Sequence, residues 1–139
     1  MKSVSFIVAL AMLVSSSAGY AQRIESKTQA QITASACSTS KESEQKLKDT
    51  YDKITRKYDK DKVFLTALDA AQKAWLAYRD ADLKALYPLE YRKSYGSIIG
   101  TCVCDQLDKI TRARIAELQQ WLDGAKPDNM CAGTVMKAE

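Results

Sequence analysis

Side chains able to carry catalysis are scarce in this chain, because none of its 139 residues is a histidine. Serine and cysteine nucleophiles that depend on a histidine base are therefore excluded, as is histidine-ligated zinc. Asp80 and Asp82 stand two apart on a predicted helix and do not face each other, so they make a poor acid and base pair. The sequence predicts no catalytic residue, no metal ligand and no cofactor, and we expect a protein that is not an enzyme.

The cysteines are the remaining reactive side chains, and they stand at Cys37, Cys102, Cys104 and Cys131. A metal or redox site on Cys102 and Cys104 is one hypothesis, but a single residue separates these thiols and no histidine can complete the site. In an oxidising compartment an even number of cysteines indicates disulfides, and four cysteines allow three pairings. Disulfides are therefore the prediction for an exported chain.

The first 21 residues have the pattern of a cleaved signal peptide. Lys2 precedes an apolar run of about a dozen residues, and Gly19 and Ala21 supply a small-residue cleavage site. The run is shorter than the ~20 residues that span a bilayer, so we expect no stable membrane anchor after cleavage. The mature chain would begin at Gln22, with its net charge lowered from +4 to +3 by the loss of Lys2. It would be periplasmic or secreted.

Apolar residues recur at helical spacing in three segments of the mature chain. The first helix is expected over about 40–59, and the second over about 62–86, where Pro88 ends it. The third is expected from about 101 or 105 to 122, before Gly124. The predicted inner stripes are Leu47, Tyr51, Ile54 and Tyr58; Phe64, Leu68, Ala71, Trp75 and Tyr78; and Leu107, Thr111, Ile115, Leu118 and Leu122.

Three amphipathic helices predict an all-α fold, a small antiparallel three-helix bundle stapled by one or two disulfides. The helical domain would span residues 38–123, between a loose polar N-terminal arm at 22–37 and a C-terminal tail at 124–139. Apolar residues make up 46% of the chain, as expected for a folded domain rather than a disordered one. Basic residues outnumber acidic residues only slightly, and the two kinds alternate along the chain. Nucleic acid is therefore not an expected partner.

The bundle topology constrains the disulfides. The first helix starts where the third begins, so Cys37 should lie near Cys102 and Cys104. A bridge from Cys37 to Cys104 would close a loop of about 70 residues. The leftover pair, Cys102 and Cys131, would require the tail to run back along roughly 30 Å of helix.

A cluster of tyrosines stands in the loop between the second and third helices. Tyr87, Tyr91 and Tyr95 lie there beside Arg92. Exposed tyrosine and arginine side chains are enriched at protein interfaces, which makes these four residues possible partner contacts. The alternative is that the rings cover the open end of the bundle.

A longer pattern covers most of the mature chain, from about Cys37 to Leu122. Its core is AQ-x-x-W-x-x-YRDA, which here is Ala71, Gln72, Trp75, Tyr78, Arg79, Asp80 and Ala81. Around the core stand Leu47, Tyr51, Leu68, Gly96, Ser97, Cys104, Thr111, Arg114 and Leu118. The pattern resembles the LprI-type lysozyme inhibitor N-terminal domain family, which consists of small exported bacterial helical domains.

The resemblance implies an all-helical, disulfide-stapled domain in which the Cys37–Cys104 bridge can be carried over. Leu83 stands where family members usually have a cysteine, and Cys102 and Cys131 look like additions. We expect a structural role for the signature residues, with Asp80 paired to Arg79 or Arg114. The alternative is direct partner binding by this set: Gln72, Trp75, Tyr78, Arg79, Asp80, Thr111 and Arg114.

The family implies a non-enzymatic binding protein that inhibits lysozyme. The alternative function is a general envelope module that recognises another exported protein. Animal lysozymes are commonly basic, so the net positive charge of this chain gives no long-range attraction to them. An acidic face formed by Asp105, Asp108 and Asp123 could supply a local attraction instead.

Overall fold

The computed structural model describes residues 26–138, apart from the side chain of Arg92. Within this range the helices are α1 (Gln29–Lys57), α2 (Lys62–Leu86) and α3 (Ile99–Asp123), with a 3₁₀ helix at Leu89–Ser94. The all-α class is therefore confirmed, and α2 has the predicted bounds. The predicted signal peptide lies outside the described residues.

Helix α1 begins at Gln29 rather than near residue 40, so the predicted loose arm is wrong from Gln29 onward. Thr28 is the N-cap of this helix. Its hydroxyl accepts a hydrogen bond from the Gln31 N–H, and the Gln31 side chain accepts one from the Thr28 N–H over 2.8 Å. This reciprocal capping box satisfies backbone donors that the first turn would otherwise leave unpaired.

Helices α1 and α3 run parallel and pack against each other along their length. Near their N-termini the Thr33 and Thr101 hydroxyls lie 2.8 Å apart, and near their C-termini Lys57 Nζ donates to the Leu122 carbonyl over 2.9 Å. A Cβ at Gly100 would lie only 2.9 Å from Thr33 Cγ2. The helices therefore approach closely through small residues, which explains why no apolar stripe marks the start of α1.

The core lies at the end of the bundle where α1 turns into α2. The Tyr58 and Phe64 rings pack there with 4.6 Å between centroids. The Tyr58 hydroxyl donates to the Trp121 carbonyl over 3.2 Å and accepts from the Met136 N–H over 3.0 Å, so the tail folds back over this end. The buried apolar cluster consists of Leu47, Ile54, Tyr58, Phe64, Leu68 and Leu118.

Helix α2 runs antiparallel to the other two but is buried against them mainly in its first two turns. Phe64 and Leu68 are buried, whereas Ala71 is exposed and Tyr78 is 62% exposed. The predicted burial of Ala71 and Tyr78 is therefore wrong. The later turns of α2 are rich in alanine, and so small a side chain gains little free energy from burial.

The Cys37–Cys104 disulfide is confirmed, with its Cα atoms 4.9 Å apart. Cys102 and Cys131 are free, so the predicted second bridge is wrong. Cys102 lies in the first turn of α3, whereas the tail packs at the other end, where Thr134 accepts a hydrogen bond from Trp121 Nε1. An α-helix rises about 29 Å between positions 102 and 121, far more than a disulfide can span.

Candidate functional site

The segment joining α2 to α3, residues 87–98, forms an ordered projection at the disulfide end of the bundle. We call it the α2–α3 connection. Tyr87 closes α2 by donating its N–H to the Leu83 carbonyl over 2.9 Å, and Pro88 then prevents further helix. The 3₁₀ helix follows, and Ser94 Oγ donates to the Tyr91 carbonyl over 2.6 Å at its end.

Tyr87 and Tyr95 hold the two ends of the 3₁₀ helix together. Their half-buried rings meet edge to face, with 6.1 Å between centroids. This arrangement presents the apolar side chains between them to solvent: Leu89 is 76% exposed and Tyr91 is 63% exposed. Four residues of this segment were named from the sequence as possible partner contacts. Tyr87 and Tyr95 form the base of the 3₁₀ helix, and Tyr91 projects into solvent. The side chain of Arg92 lies outside the described part of the chain.

A cavity of about 380 Å³ opens beneath the connection. Its walls are mostly apolar, and they include both tyrosines of the base and the Cys37–Cys104 disulfide. Ile99 and Val103 of α3 complete the floor. A cavity of this kind can take one apolar side chain of a partner, which is the usual form of an energetically dominant interface contact.

The disulfide fixes the position of this site relative to the bundle. Cys37 lies in α1 and Cys104 in α3, so the bridge ties together the two helices that flank the cavity. The backbone at Gly96 has φ +69°, a conformation that favours glycine, and it directs the chain from the 3₁₀ helix into α3.

The signature residues form a second cluster, centred on Trp75 in the middle of α2. The Arg79 guanidinium lies 5.5 Å from the Trp75 ring centroid, and the Arg114 guanidinium lies 5.8 Å from it. Arg114 Nε also donates to Gln72 Oε1 over 3.1 Å, which links α3 to α2. Arg79 donates to Glu44 of α1 over 3.3 Å, so the cluster connects all three helices.

Of the remaining signature residues, Asp80 borders this cluster, whereas Tyr78 and Thr111 take no part in it. Asp80 pairs with Arg79 over 2.8 Å, one of the two predicted pairs, and Arg114 pairs with Glu117 over 3.0 Å. Tyr78 points to solvent. Thr111 is fully buried, and its hydroxyl has no hydrogen-bond partner within residues 26–138.

The structure does not assemble the acidic face expected on α3. The Asp108 side chain is only 18% exposed, and Arg112 Nε donates to it over 2.7 Å. That hydrogen bond holds the pKa of Asp108 below its usual value. Asp123 accepts from the Gln119 side chain at the other end of the helix, about 22 Å along the axis from Asp108. Asp105 is exposed at the disulfide end.

The cavity beneath the connection was not visible in the sequence, because its lining comes from α1, the connection and α3, and residue spacing does not show how these three segments pack together. Among residues 26–138, no group of three or more acidic or cysteine side chains is placed to hold a metal ion. In the same part of the chain, no helix combines the length and apolar character needed to cross a membrane.

The family model described as "Lysozyme inhibitor LprI" matches residues 21–118, which include the cluster around Trp75 and the whole α2–α3 connection. Searches of curated proteins and of solved structures found no match.

Proposed function

This chain belongs to the LprI family of lysozyme inhibitors, and on that premise we propose that it is an exported, non-enzymatic inhibitor that binds lysozyme through its α2–α3 connection. The signal-peptide pattern of residues 1–21 supports export to the periplasm or beyond the cell. An inhibitor of this kind needs a rigid surface that fills a cleft, and it needs no catalytic residue.

The exposed pair Leu89 and Tyr91 is the observation that carries the proposal. Both side chains are large, apolar and more than 60% exposed on a short, ordered projection. Side chains this exposed do not contribute to the core, so folding does not explain why they are apolar. Tyrosine is among the residues that dominate binding energy at interfaces, because its ring buries a large area at little entropic cost. The cavity beside this pair supplies room for an apolar side chain of the partner.

The charge of the connection suits a glycosidase cleft. Lysozymes cleave their substrate with a pair of carboxylic residues, which makes the cleft locally acidic. Lys93 is exposed on the connection, and Arg92 precedes it in sequence. The exposed Lys93 side chain would therefore meet carboxylates in the cleft, whatever the net charge of the rest of the lysozyme.

Titration of the mature, oxidised protein into lytic assays with lysozymes of several classes tests this proposal. We expect stoichiometric inhibition of at least one class. The Leu89→Ala and Tyr91→Ala substitutions should each raise the inhibition constant about tenfold or more, because each removes a central apolar contact. Met130→Ala is the matched control, since Met130 is 95% exposed on the tail at the other end of the bundle.

Failure to inhibit any lysozyme class, with circular dichroism showing a folded helical protein, would overturn the proposal. The alternative, an envelope module for another exported protein, would then take its place. Inhibition that Leu89→Ala and Tyr91→Ala leave unchanged would keep the activity but reject the α2–α3 connection as the contact surface.

A further inference from the structure

A groove of about 560 Å³ lies between α2 and α3, towards the end of the bundle opposite the α2–α3 connection. Ala67 and Ala71 of α2 line one side, and Trp121 of α3 lines the other. Both alanines are exposed, so the groove is open to solvent. Its volume is in the range of small-ligand sites, and none of the contacts proposed above for lysozyme uses it.

One end of the groove carries a cation with unused donors. The Arg114 side chain is only 13% exposed, and it lines the groove. Gln72 and Glu117 accept from its Nε and Nη1 atoms, while Nη2 has no protein acceptor among the described residues. A guanidinium binds carboxylates through paired, parallel N–H groups, and burial strengthens such contacts.

The other end carries a carboxylate. Asp61 lines the groove there, and its Oδ1 accepts the Phe64 N–H over 2.9 Å as the cap of α2. The residue is exposed, and one Oδ1 contact leaves further acceptor capacity on the carboxylate. From Asp61 to Gln72, which contacts Arg114, α2 rises about 16 Å.

We infer that this groove binds a short peptide with free termini and small apolar side chains. Its C-terminal carboxylate would pair with Arg114 and its N-terminal ammonium with Asp61. An extended chain advances about 3.3 Å per residue, so five residues match the separation of the two charges. The alanines leave room for the peptide backbone, and the Trp121 ring, whose centroid lies 5.7 Å from that of Phe64, offers an apolar surface for one larger side chain.

The probe is the uncapped peptide Ala-Ala-Leu-Ala-Ala, titrated into the mature oxidised protein by calorimetry and tryptophan fluorescence. We expect saturable binding and a shift in emission, because Trp121 lines the groove. The same peptide with a C-terminal amide should bind about tenfold or more weakly, since it cannot form the charged pair with Arg114. N-terminal acetylation should weaken binding by a smaller factor, because Asp61 is exposed.

Two substitutions in the protein should change its affinity for the peptide in opposite directions. Glu117→Gln removes the carboxylate that competes for Arg114, and Glu117 is 60% exposed, so the fold should tolerate the change and the peptide should bind more tightly. Ala67→Phe fills the groove and should abolish binding. Ala70→Phe is the matched control, because Ala70 is an exposed alanine of α2 that does not line the groove.

Equal affinity for the uncapped and amidated peptides would overturn the inference, as would the absence of saturable binding at about 5 mM peptide. Unchanged binding by the folded Ala67→Phe variant would do the same. A protein carrying both Leu89→Ala and Tyr91→Ala should still bind the peptide. Loss of lysozyme inhibition and loss of peptide binding can therefore be told apart.

Discussion

The rings of Tyr87 and Tyr95 meet edge to face, with 6.1 Å between their centroids, across the base of the 3₁₀ helix that joins α2 to α3. This contact closes the connection on itself directly above the Cys37–Cys104 disulfide. It therefore holds Leu89 and Tyr91 in place before any partner arrives, and preorganisation of this kind lowers the entropic cost of binding.

Tyr95→Ala should weaken lysozyme inhibition without a large loss of global stability. The substitution removes an aromatic pair worth about 0.5–1.5 kcal/mol and frees the connection to move. Inhibition constants and urea denaturation of the same preparation check this expectation. Tyr78→Ala serves as the control, since Tyr78 is equally apolar but projects from the middle of α2. Equal effects of the two substitutions on inhibition would contradict a positioning role for Tyr95.

Loss of the Cys37–Cys104 disulfide should lower the free energy of unfolding by about 4 kcal/mol, because the bridge closes a loop with a sequence separation of 67 residues. Urea denaturation of Cys37→Ser against the oxidised protein measures this difference. Cys102→Ser is the control and should leave stability nearly unchanged, since that thiol is unpaired. A large destabilisation by Cys102→Ser would show that Cys102 takes part in a bridge.

Gly100→Ala should destabilise the protein by about 1–3 kcal/mol, because the added Cβ would meet Thr33 Cγ2 at 2.9 Å in the contact between α1 and α3. Thr33→Ser removes that methyl group and keeps the hydroxyl that contacts Thr101. The double variant should therefore recover most of the lost stability in thermal denaturation. Additive losses in the double variant would rule out the steric explanation.

Arg79→Ala should cost more stability than Asp80→Ala, although the two residues form one ion pair. Arg79 is 15% exposed and also contacts Glu44 and the Trp75 ring, whereas Asp80 is 55% exposed. We expect a loss of about 1–2 kcal/mol for Arg79→Ala and under about 0.5 kcal/mol for Asp80→Ala by urea denaturation. A stable Asp80→Ala protein that no longer inhibits lysozyme would instead assign Asp80 to the binding surface.

The stability contributed by Asp108 should depend on pH. Its pKa in the folded protein is lowered by the hydrogen bond from Arg112, so the ionised carboxylate is the stabilising form. That contribution is complete above the unfolded pKa of about 4 and is lost as pH falls through the folded pKa.

Asp108→Asn should therefore destabilise the protein near neutral pH, and the difference in free energy of unfolding should shrink in acid. Urea denaturation over this range measures it, with exposed Asp105→Asn as control, and a pH-independent difference would contradict this account.

Much of the fold was predictable because the sequence of helix α2 contains a stop signal at its end and a capping residue at its start. Pro88 stops it, and Asp61 caps its start with a hydrogen bond to the Phe64 N–H. The first turns of α1 escaped prediction because they face α3 through hydroxyls and a glycine contact rather than an apolar stripe. The Thr28 and Gln31 spacing of a capping box was the signal that could have found them.

The candidate site was predictable only in part. The tyrosine cluster pointed to the connection, but spacing alone did not separate the buried base from the exposed Tyr91. The groove between α2 and α3 was also hidden, since helical periodicity placed Ala71 in the core. Periodicity gives the direction of a side chain around its own helix and says nothing about the distance to the next helix.

Hydrogen exchange of the mature protein, free and with saturating lysozyme of an inhibited class, would show whether the α2–α3 connection forms the contact with the enzyme. We expect slower exchange of the backbone amides of residues 89–98 on binding, with exchange in the groove between α2 and α3 unchanged. Protection confined to α2 and α3 around Ala67 and Trp121, or no protection of the connection in a complex that inhibits the enzyme, would contradict this expectation.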